Sequence, residues 1–327
     1  MWAKSAEVTE MDASPSLLAG NLSKAGSFAA FASMEDVIVL NTKEGGKPNK
    51  ISLVEKSVVY QVLVCEFNDE KFLVIANEAG CQVWDLNGEH LYFSLALTKE
   101  LASSSEVVHQ FCRGICADIS TNSIIVGSSL GKLYMLSQKS SSEAKGSDRA
   151  EFHLQATVMG HKDPVHAIAS NGSTKSPLAC SSDDGGSIII WTVESAGLEA
   201  KHKLPGTGYP VTSLRGFDAR WFLSGDTTGK LRLVDANEGV VAADVGAHTR
   251  LLSGVDACGD RAVTVGEDGF WHVWKLKEDA GGSLRVEHEH SQRAGDDLLT
   301  GVVFADPHTI LTVAYDSVVL KAWTDHD

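Results

Sequence analysis

Short runs of alternating apolar and polar residues, separated by turn residues, fill most of the chain. Three such runs follow one another at residues 252–257, 261–265 and 270–276. The pairs Gly259-Asp260 and Asp268-Gly269 stand between them, and pairs of this kind favour tight turns. Runs this short with a period of two predict three antiparallel strands rather than a helix.

Four side chains in this region have the spacing of a buried polar chain. His248 precedes the first strand, Thr264 lies on the second, Asp268 lies in the next turn and Trp274 lies on the third. These offsets resemble a blade of the WD-repeat family, in which the four side chains form one hydrogen-bonded chain. Buried polar groups are tolerated when all are satisfied, which explains why such residues occur as a set. The alternative is four unrelated residues in a β-protein.

The end of the third strand can be marked at six positions along the chain, 40 to 55 residues apart. These positions are Trp84, Leu136, Trp191, Val234, Trp274 and Trp323. A four-stranded blade in this family needs about 40–45 residues, and longer intervals indicate inserted loops. The recurrence therefore favours a repeat protein over a chance pattern.

A second polar set precedes the first in the chain. It comprises His161, Asp184 and Trp191. Cys180 stands where a hydroxyl is expected. In the blade between the two sets, Tyr209 takes the histidine position and Val234 the tryptophan position, so apolar packing is expected to hold that blade.

The length of 327 residues and the apolar content of 43% allow one or two domains, and repeats of this period favour one closed ring. The sequence predicts an all-β fold, a single seven-bladed WD-repeat β-propeller. Its blades are assigned to residues 16–56, 60–98, 107–158, 160–205, 208–246, 247–291 and 296–325.

The last predicted blade has only three strands. Segment 1–15, chiefly residues 2–8, is expected to supply the fourth, because joining both ends in one blade removes two exposed sheet edges. The alternative is an N-terminal tail that leaves this blade open. Residues 139–150 are rich in serine and charge and hold no large apolar residue. They predict a mobile loop.

The formal net charge of −15 is unevenly distributed. Residues 1–100 carry 14 acidic and 8 basic side chains, residues 241–327 carry 15 and 7, and residues 101–240 carry 14 and 13. Because the first and last blades are neighbours in a ring, one side of the disc is expected to be acidic. Such a surface disfavours nucleic acid and suits a basic protein partner. The alternative is ordinary solubility charge.

Targeting and cysteine patterns indicate an intracellular protein. The first 15 residues lack a secretory signal, and no stretch approaches the ~20 apolar residues of a membrane span. We therefore expect a cytoplasmic location without membrane insertion. The six cysteines lack the paired spacing of a zinc site. Cys112 and Cys116 are expected on one face of a strand, too far apart for one metal or disulfide, and reduced thiols are expected throughout.

Candidates for catalytic or metal chemistry are weak. His288 and His290 flank Glu289 on a predicted outer strand, so both are expected to face one side, but no third metal ligand is identifiable. Residues 183–186 predict a turn between strands, and Asp296-Asp297 predicts a solvated loop. No enzyme activity, cofactor or metal is expected.

Several stretches together resemble the WD repeat-containing protein 54 family. They include GHKDPVHAIA, AHTRLLSGVDA, VGEDGFWHVWKLKEDAGGSLRVEHEH and AYDSVVLKAW. The resemblance covers roughly residues 105–325 and is loose before them. It implies a propeller with no established enzymatic chemistry that acts in the cytoplasm through partners, and it transfers no functional residues.

Two classes of function remain: an interaction scaffold, and an enzyme with a site in the central channel. The first strands are expected to line the channel, and the equivalent positions there are Arg113, His166, Thr212, Ser253 and Thr300. That mixed ring holds no cluster of acids or metal ligands, which favours the scaffold. A structural subunit of a cytoskeletal or ciliary assembly is the alternative binding role.

A protein partner is expected on the narrow top face, where the loops entering the first strands converge. The candidate contacts are Lys162, Asp163, Tyr209 and Arg250, together with Arg113 and His166 at the channel. Exposed tyrosine and arginine are the residue types that most often carry binding energy. The alternative is that these are ordinary loop residues. The chain is expected to be a monomer or a subunit of a complex.

Overall fold

The computed structural model describes residues 2–43, 45–53, 56–97, 109–139, 150–278 and 282–326. Within these ranges the chain forms strands and no helix, so none of the described residues belongs to a helix able to cross a membrane. The short alternating runs of the sequence account for this, because each buries one face at a period of two.

The strands, numbered in chain order, are β1 (Trp2–Glu10), β2 (Ser23–Ala25), β3 (Phe28–Ser33), β4 (Asp36–Asn41), β5 (Asn49–Ser52), β6 (Val59–Phe67), β7 (Glu70–Asn77), β8 (Gly80–Trp84), β9 (Leu91–Ala96), β10 (Cys112–Asp118), β11 (Ser123–Ser128), β12 (Lys132–Gln138), β13 (Phe152–Met159), β14 (Val165–Ser170), β15 (Leu178–Asp183), β16 (Ile188–Glu194), β17 (Gly197–Leu204), β18 (Val211–Gly216), β19 (Trp221–Asp226), β20 (Lys230–Asp235), β21 (Val240–Gly246), β22 (Leu252–Cys258), β23 (Arg261–Gly266), β24 (Phe270–Glu278), β25 (Leu284–Arg293), β26 (Leu299–Asp306), β27 (Thr309–Ala314) and β28 (Val319–Asp325).

These strands form seven four-stranded sheets, each of which is one blade of a propeller. Blades 1 to 6 use consecutive strands, from β2–β5 for blade 1 to β22–β25 for blade 6. Blade 7 has the order β1-β28-β27-β26, so its outer strand comes from the N-terminus. The predicted all-β, seven-bladed fold with an N-terminal closing strand is confirmed.

The closing strand is anchored at its first residue. Trp2 pairs with Asp325 in the sheet, and pairing extends to Glu10 opposite Val319, beyond the predicted residue 8. The Trp2 indole is 5% exposed and meets Trp271 of blade 6 edge to face, with ring centroids 5.7 Å apart. One buried aromatic thus joins the chain end to two blades.

The core lies between neighbouring blades, in seven apolar clusters. Each cluster takes side chains from two adjacent sheets, as where Trp191 of blade 4 packs with Ile125 and Met135 of blade 3. Burying one such side chain contributes roughly 1.5–3 kcal/mol. The same arrangement recurs between blades 7 and 1, so the ring has no open seam.

The first strand of blade 1 differs from its prediction. Blade 1 was assigned from residue 16, but its first strand, β2, begins at Ser23. The Asn21 amide explains the difference: it donates to the backbone oxygens of Ser16 and Ala32 and accepts a hydrogen bond from the Ala32 N–H at 2.7 Å. These bonds hold residues 16–21 as a loop that crosses from the outer edge of the ring toward its centre.

A β-bulge interrupts the first strand of blades 2 to 7. In blade 3 it falls between Cys112 and Ile115, and it changes which side the following residues face. Cys112 packs between blades 2 and 3, whereas Cys116 packs between blades 3 and 4. The expectation that the two cysteines share one face is therefore wrong.

The predicted mobile loop at 139–150 lies almost wholly outside the described residues, which resume at Ala150. Its base is described. The Lys139 N–H donates to the Glu151 carbonyl at 2.8 Å, and their side chains form an ion pair at 2.6 Å. The two ends of the insertion are thus held side by side.

Candidate functional site

One face of the disc carries the turns between the second and third strands and the loops that enter the first strands; we call it the top face. In blade 6 the His248 ring bonds Asp268 at 3.0 Å through Nδ1 and the Thr264 hydroxyl at 2.9 Å through Nε2. The Trp274 indole N–H donates to the same hydroxyl at 2.9 Å. These four side chains therefore fix the top-face turn to the sheet.

Blade 4 builds the same chain from different residues than those predicted. His161 bonds Asp183 at 2.8 Å and the Ser181 hydroxyl at 2.7 Å, and the Trp191 N–H donates to Ser181 at 2.8 Å. The assignments of Asp184 and of Cys180 were therefore wrong.

The position of the turn glycine explains the error. Gly186 and Gly269 both have φ of 78° and occupy equivalent places in their turns. The residue before each glycine is Asp268 in blade 6 and Gly185 in blade 4, so the blade 4 turn has no acid at this position. Blade 4 supplies its carboxylate from the strand end at Asp183, where blade 6 has Gly266. A Cβ on Gly266 would lie 2.6 Å from the His248 ring, so blade 6 has no room for a carboxylate at the position that Asp183 takes in blade 4.

Asp184 is not part of that hydrogen-bonded chain. It bonds instead to two of the predicted channel residues, Arg113 and His166, at the mouth of the channel. Its Oδ1 accepts hydrogen bonds from the Arg113 guanidinium at 2.6 Å and from His166 Nδ1 at 2.8 Å. Arg113 also donates through Nε to the Val165 carbonyl at 3.2 Å. Blades 3 and 4 are thereby tied together by a polar group at the top face.

The protonation states of this group follow from burial and charge. Burial lowers the pKa of His166 below its ordinary value despite the bond to Asp184, and burial also lowers the pKa of Arg113. Burial would raise the pKa of Asp184, but the His166 hydrogen bond and the Arg113 charge lower it overall. At neutral pH the carboxylate is therefore ionised and His166 is neutral, so its Nδ1–H is the donor.

An aromatic surface continues this group toward blade 2. The Arg113 guanidinium lies over the Phe111 ring at 5.5 Å, and Phe111 contacts Tyr60 with centroids 4.8 Å apart. Burial, followed by the charge of Glu78, raises the pKa of Tyr60. Sequence reasoning missed Tyr60 because blade 2 has no Gly-His pair. The signal was the repeat alignment, since Tyr60 holds the same bulge position as Arg113 and His166.

The other members of the predicted channel ring are buried. The Thr212 hydroxyl donates to the Leu252 carbonyl and the Ser253 hydroxyl to the Leu299 carbonyl, each at 2.5 Å and each in the next blade. Thr300 is 1% exposed. The Thr212 and Ser253 hydroxyls join neighbouring blades and Thr300 is buried, so the five residues do not form one polar ring in the channel. The channel itself is a cavity of about 690 Å³ lined by the first strands of all seven blades.

The candidate contacts in the top-face loops are exposed. Tyr209 is 54% exposed, and Lys162 and Asp163 are also exposed. The Arg250 side chain is 59% exposed and lies 3.6 Å from Glu267, a distance that leaves only a weak surface ion pair. These four side chains and the Arg113 group lie on the same face, on blades 3 to 6.

The discounted metal candidate was misread in one respect. A bulge at Glu289 places His288 opposite Trp274 and His290 opposite Val273, so the two histidines face opposite sides of blade 6. His290 packs on Trp271 with centroids 5.1 Å apart. Within the described ranges, no group of three or more His, Cys, Asp or Glu side chains is placed to hold a metal ion.

The other discounted candidates have local partners. Asp296 pairs with Arg293 at 2.5 Å, and Asp297 lies 3.4 Å from Lys321. Cys112, which is 0% exposed, has a pKa raised to about 12 by burial. Neither a reactive thiolate nor an unpaired carboxylate dyad is present at these positions.

Comparison of the sequence with known proteins finds matches to one family. A family model described as WDR54 matches residues 30–323. WD repeat-containing protein 54 of Mus musculus is 28% identical over 274 residues, which cover 82% of this chain and 76% of the mouse protein. The Homo sapiens protein of the same name is 26% identical over 293 residues, which cover 87% and 82%.

Among solved structures, a chain from one titled "Crystal Structure of Mitotic Checkpoint Complex" superposes with a TM-score of 0.74. It covers 98% of this chain and 95% of that chain at 15% identity, which shows the fold alone. The family match rests on the sequence itself and covers most of the seven blades. This chain is a WD-repeat propeller that belongs to the WDR54 family.

Proposed function

We propose that this propeller is a non-enzymatic scaffold that binds a protein partner across the top face of blades 3 to 6. The observation that carries the proposal is Tyr209. The register of the first strands places Thr207, not Tyr209, at the position of His161 and His248, so the predicted equivalence was wrong. Tyr209 lies two residues before β18, as Arg250 lies two residues before β22, and it is 54% exposed. A large aromatic side chain without an internal role is suited to anchor a partner.

The partly buried group around Asp184 supports binding in a second way. Arg113 and His166 are held by short hydrogen bonds and by the Phe111 ring, so this floor of the site is ordered before a partner arrives. A surface that is already ordered loses less conformational entropy on association. Lys162, Asp163 and Arg250 then add charges that select orientation more than affinity.

Membership of a WD-repeat family supports a binding role over catalysis. A basic partner, a cytoplasmic location and a cytoskeletal or ciliary setting stay predictions.

The test is affinity purification of three variants from cell extract, with the recovered proteins quantified by mass spectrometry. Tyr209→Ala and Arg250→Ala are expected to lower recovery of a shared set of partners by about tenfold, the effect of losing an interface anchor. Lys201→Ala on the outer strand β17 is the control and is expected to change nothing. If partners are lost only with Lys201→Ala, binding uses the outer edge of the disc. If all three variants recover the same partners, the top-face site is wrong.

A further inference from the structure

A second region of the top face exposes apolar side chains instead of polar ones. Leu17, Met34, Tyr315 and Val318 are 48%, 67%, 44% and 50% exposed, and all four lie in the loops of blades 7 and 1. We call these four residues the apolar rim. Clustered exposed apolar side chains are unfavourable in water and mark interaction surfaces more often than isolated ones do.

Hydrogen bonds hold the three segments of the apolar rim together. The Met34 N–H donates to the Ser16 hydroxyl at 2.6 Å, directly beside Leu17. The Met11 N–H, at the start of the same loop, donates to the Val318 carbonyl at 2.9 Å. The rim is therefore presented by fixed backbone rather than by a free chain end.

The backbone of Met34 adds an independent observation. Its φ is 57°, in the left-handed region that glycine and asparagine adopt easily and methionine rarely does. Its side chain is 67% exposed, the highest value among the large apolar residues that the structure describes, so no burial offsets the strain. The Met34 N–H donates to Ser16 and the Met34 carbonyl accepts from the Val59 N–H, so hydrogen bonds fix this backbone while the side chain stays in solvent. Strained backbone positions cluster at binding sites.

The charges beside the apolar rim indicate the chemistry of its occupant. Glu35 follows Met34, Asp316 follows Tyr315, and Asp12 follows the residue bonded to Val318. None of these three acids lies within ion-pair distance of a cation among the residues that the structure describes, although Lys47 lines the same groove as Asp12. Apolar side chains beside unpaired acids complement a segment that carries the opposite charge.

We propose that the apolar rim binds an extended segment of a protein partner in which large apolar side chains alternate with lysine or arginine. This goes beyond the proposed function, because it uses blades 7 and 1 and none of the residues around Tyr209. The two surfaces share one face, so a single partner that spans the channel mouth is able to contact both. Each surface is nevertheless testable alone.

The first experiment selects ligands from a phage-displayed library of random 12-residue peptides on the full-length chain. The expected result is enrichment of peptides that combine large apolar residues with lysine or arginine. Enrichment of acidic or uncharged peptides alone, or of no peptides, would overturn the proposal. The most enriched peptide is then synthesised with a fluorophore for measurement of its dissociation constant.

The second experiment measures that peptide with rim variants. Met34→Asn removes the apolar side chain and keeps a residue that tolerates a positive φ, and the double change Glu35→Gln with Asp316→Asn removes two charges without changing shape. Each is expected to weaken binding at least tenfold, and the loss from the double variant is expected to shrink at high salt.

Matched controls separate position from residue type. Met159→Asn changes a methionine that is 61% exposed on β13, and Asp69→Asn changes an exposed acid with φ of 65° in the β6–β7 turn, at the opposite face. Both are expected to bind the peptide normally, as is Tyr209→Ala. If the controls weaken binding as much as the rim variants, the rim is not the site.

A last measurement excludes the chain itself as the occupant. Sedimentation velocity of the full-length protein is expected to give the same mass for the parent and for Met34→Asn. A dimer that Met34→Asn dissociates would mean that a second copy covers the rim, and the proposal would be overturned.

Discussion

Blades 5 and 6 are neighbours with the same four strands, yet they hold their top-face turns in different ways. In blade 6 the His248 Nδ1–H donates to the Asp268 carboxylate, the Thr264 hydroxyl donates to His248 Nε2, and the same hydroxyl oxygen accepts from the Trp274 indole N–H. Blade 5 has Thr207 where blade 6 has His248, four residues before the first strand, and Val234 where blade 6 has Trp274. There Asp226 and Arg232 form an ion pair at 2.7 Å, with Asp226 fully buried and the arginine side chain 9% exposed.

The ion pair of blade 5 and the polar chain of blade 6 involve the same pair of positions across the second and third strands. Arg232 pairs with Ser224 across the second and third strands of blade 5, and His272 pairs with Thr264 at the same place in blade 6. The Asp226 carboxylate accepts from the Thr228 and Lys230 N–H groups, as a turn carboxylate must if the turn is to be ordered. Blades 5 and 6 therefore both place a hydrogen-bonded carboxylate at this turn, but blade 5 does so without the histidine and tryptophan of blade 6.

The largest expected effect comes from emptying the aromatic site of blade 6. Trp274→Ala is expected to destabilise the protein by ~3–5 kcal/mol, because Trp274 is 4% exposed and fills the space between blades 5 and 6. Val234→Ala at the matching position of blade 5 removes fewer atoms and is expected to cost less. Urea unfolding followed by circular dichroism measures both. If both variants lost the same free energy of unfolding, the part of the Trp274 ring that exceeds a valine side chain would contribute nothing to stability.

The next effect tests the ion pair of blade 5. Arg232→Leu is expected to cost about 3 kcal/mol, because it leaves the buried Asp226 carboxylate without its cation. The double variant Arg232→Leu with Asp226→Asn removes the stranded charge and is expected to recover part of the loss. Urea midpoints of the two variants decide this. A single variant as stable as the parent would show that water replaces the guanidinium.

How much of this the sequence predicts depends on what positions each residue. Alternation and turn glycines predict the seven sheets, because each strand buries a face at a period of two. They also place His248, Thr264, Asp268 and Trp274, because that blade has a regular turn. In blade 4, Asp183 and Asp184 are adjacent, and only three-dimensional geometry decides which of them faces His161.

Bulges are the second cause of error. A bulge adds one residue to one strand and reverses the facing of those beyond it, which single-sequence alternation does not register. It separated Cys112 from Cys116 and His288 from His290. It also gave Arg113 and His166 their place at the channel mouth, where the repeat alignment found them but could not show Asp184 between them.

The third effect tests the hydroxyl that blade 6 depends on. Thr264→Val keeps the shape of the side chain and removes the hydroxyl that donates to His248 Nε2 and accepts from the Trp274 indole N–H. One buried acceptor and one buried donor without these partners are expected to cost ~1–3 kcal/mol. Thermal and urea unfolding measure the loss. An unchanged midpoint would mean that the two rings find other partners.

A smaller effect, on how stability depends on pH, distinguishes blade 6 from blade 5, because blade 6 has His272 where blade 5 has Arg232. Burial, then the nearby His248, lowers the pKa of His272 to about 4 from an ordinary 6.5. Between these values the unfolded chain binds the proton and the folded chain does not, so stability is lost as pH falls from about 6.5 to 4. His272→Gln is expected to reduce this slope, whereas Arg232 in blade 5 stays charged throughout. Unfolding midpoints at pH 7, 5.5 and 4.5 measure it; equal slopes would contradict it.

The smallest expected effect lies at Ser224, which holds the position of Thr264 in blade 5. Its hydroxyl is fully buried and has no hydrogen-bond partner among the described residues, because Thr207 at the histidine position is exposed and the Val234 side chain has no N–H. Ser224→Ala removes an unsatisfied polar group and is expected to change the free energy of unfolding by less than about 0.5 kcal/mol, in contrast to Thr264→Val. The same urea series compares the two variants. A loss at Ser224 as large as that at Thr264 would mean that blade 5 retains a polar chain, with a hidden partner for this hydroxyl, and the contrast between the blades would fail.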